Sequence, residues 1–165
     1  MDMELKTMNE LNITGDENKG FEESTQYIVI RLGDEQYGID IGYIDNIVRM
    51  QNITRVPKVP AYLKGVINLR GEVIPVVSIR LKMGLSENEH TRTTRIIILK
   101  TETAGNLGIV VDEVREVVTL REDSIDRVSR EGRDGRASFI NGVGKHGDEL
   151  ISLLDLNSIT LDENA

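Results

Sequence analysis

The chain has 165 residues, enough for one domain with a real core or two very small ones, and an ordinary 39% of it is hydrophobic. A formal net charge of −8, with no segment that stands out as basic enough to reverse it locally, argues against nucleic acid and anionic lipid as partners. Cysteine is absent; this excludes disulfides, thiolate metal sites and a cysteine nucleophile, and fits a reducing compartment.

Residues 1–24 carry seven acidic and two basic side chains without clear periodicity and read as a flexible acidic tail. The start, MDMELKTMNE, lacks the basic flank and apolar stretch of a signal peptide, and no apolar run approaches the roughly 18 residues of a membrane span. From Tyr27 the character changes. YIVIRL, YGIDI, IDNIV, GVINL, EVIPVV, RIIILK, LGIVV and REVVTL are short β-branched segments separated by turn residues, which predicts a mainly β fold with only short helical pieces.

The chain repeats itself. Tyr37 to Ile41 (YGIDI) lies 70 positions before Leu107 to Val111 (LGIVV), and the same step carries Ile44, Ile47 and Val48 onto Val114, Val117 and Val118. A step of 77 carries Tyr62 to Val66 onto Phe139 to Val143, and Val73 to Ile79 onto Leu150 to Leu156. Ser78 and Asp155 fall in step too, each a good N-cap where a strand gives way to a helical turn. The pattern predicts two similar small β-barrels, one over about 25–88 and one over about 89–160, with residues 161–165 as a tail. Neither is large enough to dispense with burial against the other. The polar stretch Gly84 to Arg92 is the expected boundary.

Candidate catalytic groups are few. His90 lies in that polar stretch and His146 in Gly144-Lys145-His146-Gly147-Asp148-Glu149, which lacks the frame of a phosphate loop and reads as a hairpin turn. Asp40 and the pair Asp112-Glu113 read as solvated strand ends, since neighbouring residues on a strand point to opposite faces. Without GxGxxG, GxSxG or HExxH the chain is expected to offer a surface, with no catalytic residues, metal or cofactor.

The two hairpin tips differ. The first reads Asn68-Leu69-Arg70-Gly71-Glu72, and the second has Gly147 where the first has Arg70. The second turn position commonly needs positive φ, which suits Gly71, whereas the first accepts many residues, so Arg70 is either a solvated charge or a contact to a partner. Ile44 and Ile47 are core residues by default and a docking patch if exposed.

Three stretches carry a resemblance: YGIDIGYIDNIV, VPAYLKGVINLRGEVIPVVSIRLKMG and LGIVVDEVREV are similar to the CheW family of bacterial chemotaxis coupling proteins, over about Tyr27 to Ile159. The resemblance implies two SH3-like five-stranded barrels packed on a shared hydrophobic core. It also implies a noncatalytic cytoplasmic adaptor, held at the inner face of the membrane through receptors and not inserted in it. Its partners would be the cytoplasmic tip of a methyl-accepting chemoreceptor and the regulatory domain of the histidine kinase CheA. Receptor binding would fall to Arg70, Gly65, Ile44 and Asn68, and kinase binding to Asn46 and Ile47; family members often carry an acidic residue where this chain has Asn46. Small-molecule or nucleic-acid binding by a β-barrel module is the alternative.

Overall fold

The computed structural model describes residues 23–101, 105–129 and 135–159. The tail segments 1–22 and 160–165 lie outside them. Eleven strands follow in chain order: β1 (Ser24–Leu32), β2 (Glu35–Asp40), β3 (Ile44–Arg49), β4 (Leu63–Leu69), β5 (Glu72–Ser78), β6 (Arg95–Thr101), β7 (Gly105–Val111), β8 (Glu113–Arg121), β9 (Ile125–Arg127), β10 (Ile140–His146) and β11 (Glu149–Leu154). One helical turn, α1 (Ile79–Lys82), follows β5, capped by the Ser78 hydroxyl, which accepts from the Leu81 N–H at 3.2 Å. Asp155 caps the equivalent turn after β11, accepting from the Asn157 N–H at 3.2 Å, so both expected caps are in place.

The strands form a six-stranded sheet of order β8-β1-β2-β11-β10-β9 and a five-stranded sheet of order β3-β6-β7-β5-β4. The sheets do not divide the chain at Gly84 to Arg92. Hairpin β1–β2 leaves the first half to pair with β8 and β11, while β6–β7 leaves the second half to pair with β3 and β5. The two halves exchange their first hairpins, and each sheet contains strands from both. The repeat survives the exchange, even in its irregularities. The bulge between Leu63 and Gly65 in β4 returns between Ile140 and Gly142 in β10, and Asp45 of β3 and Arg115 of β8 are both skipped in pairing with β6 and β1.

The two expected small β units of about five strands are present, as sheets of six and five strands. β9 pairs with β10 at three positions, while its counterpart is reduced to one bridge between Thr54 and Val66.

Three apolar clusters result. Tyr27, Val29, Val118, Leu120, Ile125, Ile151 and Leu153 fill the six-stranded sheet, and Ile67, Ile74, Val76, Ile96 and Ile98 fill the other. The third and largest, containing Ile28, Ile30, Ile97, Leu99 and Ile109, lies between them. Successive side chains of a strand point to opposite faces, so β1 sends Tyr27 and Val29 to its own sheet's core and Ile28 and Ile30 to the shared one. β6 does the same with Ile96 and Ile98 against Ile97 and Leu99. Both strands are therefore apolar without alternation, the pattern of a strand buried on two faces. The shared core expected between the two units is present.

Asp112 departs from expectation. It is buried, not a solvated strand end, because the chain there passes from β7 of one sheet to β8 of the other. Its Oδ2 accepts from Arg80 Nη1 and from the Gly33 N–H, each at 2.8 Å. Glu113 points the other way and pairs with Arg31 at 2.8 Å. Asp40 accepts from the Gly42 N–H at 2.8 Å and starts a short 3-10 turn.

Candidate functional site

Arg70 and Gly71 form a two-residue loop between β4 and β5. Their φ angles are +54° and +83°. Positive φ at both positions is the mark of the primed turn whose twist matches that of the flanking strands. The expectation that the first position accepts most residues is thus corrected: here it is left-handed, which costs a non-glycine residue about 1–2 kcal/mol. The second copy satisfies the same demand with Gly147, at φ +62°. Asn68 braces the turn, its Oδ1 accepting from the Gly71 N–H at 3.1 Å. The Arg70 side chain is exposed and has no hydrogen-bond or ion-pair partner among the described residues. Strained non-glycine residues of this kind cluster at binding and switch sites, which makes Arg70 a candidate contact residue.

Gly65 is not beside Arg70. It stands at the other end of β4, roughly 17 Å away at the usual rise per strand residue, and it is buried. A Cβ there would lie 2.1 Å from the Thr54 carbonyl oxygen, and φ is +144°. Its backbone approaches the chain's own 53–54 segment, a close packing that only glycine permits. Gly65→Ala is expected to destabilise the protein by about 2 kcal/mol and to expose the reciprocal Thr54 and Val66 backbone hydrogen bonds, both 2.8 Å. Amide exchange checks this: Thr54 and Val66 lose protection while β10 and β11 keep theirs. Unchanged protection would mean that the loop tolerates the methyl group.

Ile44, Asn46 and Ile47 lie on β3, an edge strand that pairs only with β6 among the described residues. Ile44 and Ile47 are half-buried and pack against the shared core from its edge. Asn46 is half-buried, its Oδ1 accepting from the Ile47 N–H at 2.8 Å. The structure therefore places the six residues on the two edge strands of the five-stranded sheet and on the hairpin tip between β4 and β5, not in one cluster. His90 and His146 are both exposed.

One residue escaped notice in the sequence. Val73, paired across the hairpin with Asn68, is 62% exposed, and its repeat partner Leu150 is 66% exposed. Ile74 and Val76 point into their sheet and Val77, on the opposite face, meets the shared core; that cover ends before Val73. The strand's alternation marks its face, but not where the cover stops. Arg70, Asn68 and Val73 thus form a tip with an apolar base and a free guanidinium, the composition of a contact surface.

The family model for the CheW-like domain matches residues 26–163. The chain belongs to the CheW family. Chemotaxis protein CheW of Helicobacter pylori is 34% identical over 145 residues, covering 88% of this chain and 87% of that protein. Its Bacillus subtilis namesake is 33% identical over 138 residues, covering 84% and 88%. A solved structure, the scaffolding protein TtCheW from Thermoanaerobacter tengcongensis, superposes with a TM-score of 0.74 at 30% identity, covering 81% of this chain and 90% of that one. As a CheW-family member the chain is a noncatalytic chemotaxis scaffold. No helix among the described residues is long and apolar enough to cross a membrane.

Proposed function

We propose that this CheW-family chain couples the cytoplasmic tip of a methyl-accepting chemoreceptor to the regulatory domain of the histidine kinase CheA, working in the cytoplasm and held at the membrane through the receptor. In this reading the receptor meets the tip formed by Arg70, Asn68 and Val73, and the kinase meets edge strand β3 at Asn46 and Ile47. The observation that carries it is the left-handed, unpartnered Arg70 where the repeat has Gly147. Gly65 and Ile44 support receptor binding from behind, by holding the 53–54 segment and the shared core. Residues 25–160 act as the functional unit, because the exchange of hairpins links both sheets. Receptor state then biases kinase activity only insofar as the bound partners favour different states of the complex.

Arg70→Gly separates the two demands on this position. Relief of left-handed strain, less the added chain entropy of glycine, is expected to stabilise the protein by about 0.5–1 kcal/mol. Receptor binding is expected to weaken about tenfold or more, as for a buried interface arginine, while CheA binding is unchanged. Calorimetry against a receptor cytoplasmic fragment and, separately, the CheA regulatory domain reads both arms. Unaltered receptor affinity in a stabilised variant would remove Arg70 from the receptor surface.

A further inference from the structure

The net charge of −8 conceals a stretch of the opposite sign. From Asn46 to Gly71 the chain has five basic residues and no acidic one, which corrects the expectation that no segment reverses the overall charge. The loop joining β3 to β4 folds this stretch around an open groove of about 740 Å³. Met50, Ile53 and Val56 supply apolar lining, Arg55, Lys58 and Lys64 supply charge, and among the described residues no carboxylate lines it. Lys64 is paired with Glu87, but Arg55 and Lys58 are exposed and have no ionic partner among the described residues. Lys58 follows Pro57 in a turn with φ +62°, a position usually given to glycine or asparagine. The two non-glycine residues with positive φ among the described residues, Lys58 and Arg70, are both cations of this one acid-free stretch. Lys58 makes no ion pair among the described residues, and a ligand with carboxylates would supply one.

The groove calls for a segment that mixes apolar side chains with carboxylates, and the chain contains one. Residues 1–13, MDMELKTMNELNI, interleave six apolar side chains with three carboxylates and a single lysine. We propose that this segment docks in the groove between β3 and β4, so that the chain shields its own basic surface and competes with external acidic partners there. Residues 14–23 can span up to about 35 Å, comparable with the diameter of a domain of this size, so reach does not forbid the contact. Tethering also gives the segment an effective concentration that a free acidic ligand must exceed. A partner needing the groove would bind with an apparent affinity lowered by the fraction of chains in which it is open.

Absence of native cysteine makes the test clean. A nitroxide on Asn9→Cys in the full-length, 15N-labelled chain is expected to quench the amide signals of Asn52 to Leu63 and to leave β10 and β11 unaffected. The signals should return in about 1 M salt, where the screening length is about 3 Å. They should also return in Arg55→Glu/Lys58→Glu, whose unchanged β10 and β11 shifts report an intact fold. Retained Asn52 to Leu63 signals, or quenching that survives the double reversal, would overturn the proposal. So would quenching that persists when the nitroxide is carried only by unlabelled chains mixed with nitroxide-free 15N chains, since the contact would then be between copies.

Discussion

Expressed apart, residues 1–88 and 89–165 are each expected to remain unfolded, and mixed together they are expected to regain the native amide spectrum. The exchange of hairpins dictates this. In the first half β1 and β2 have lost β8 and β11, while β3 and β5 have lost β6 and β7. Ile28 and Ile30 on one side, and Ile97, Leu99 and Ile109 on the other, all fully or nearly fully buried, would face water. Full burial of such side chains contributes about 1.5–3 kcal/mol each, so the five together are worth about 7.5–15 kcal/mol, comparable with the whole stability of a typical domain, about 5–15 kcal/mol. By the same reasoning the intact chain should unfold in urea in a single transition, with both sheets lost together. Repeat symmetry offers the one competing outcome: in the isolated first half, β1–β2 could take the place that β6–β7 holds against β3 and β5. A dispersed amide spectrum from residues 1–88 alone would show that this substitution succeeds and that the exchange is not required for folding.

The exchange was illegible in the sequence for a physical reason. Steps of 70 and 77 residues establish which residues are equivalent, and equivalence is all they establish. Whether β1 pairs with β8 or with its equivalent β3, the apolar pattern required of β1 is the same, so both topologies fit one sequence. What was legible depended on local chemistry: the strands, the second hairpin at Gly147, the caps at Ser78 and Asp155 and the shared core. The candidate site was legible in part. Arg70 stood out because its repeat partner differs, but its strain did not, since a type I or II turn would have accepted it. Gly147 in the equivalent place was the available signal that positive φ was wanted. Asp112 looked like any acidic residue at a strand end, because its partners Arg80 and Gly33 are distant in sequence and meet it only where the chain changes sheets.

That junction carries the last prediction. Asp112→Ala is expected to destabilise the protein by about 3 kcal/mol, the loss typical when one member of a buried ion pair is removed and the other stays. The side chains of Arg80 and Asp112 are only 18% and 10% exposed, so water does not replace the missing partner well. The carboxylate also holds the Gly33 N–H at the β1–β2 turn, while Arg80 Nε donates to the Ser86 carbonyl at 2.7 Å. One side chain therefore ties the hairpin of the six-stranded sheet to α1 and the loop beyond it. Asp112→Asn should lie between parent and alanine variant, keeping an acceptor for Gly33 but not the charge that Arg80 meets. A double-mutant cycle in urea with Arg80→Ala measures the pair directly, and a coupling of about 1 kcal/mol or more is expected. If both single variants instead fall within about 0.5 kcal/mol of the parent, as surface substitutions do, the barrels are held by the shared apolar core alone. Rigidity between the two sheets would then have to come from strands buried on both faces, such as β1 and β6.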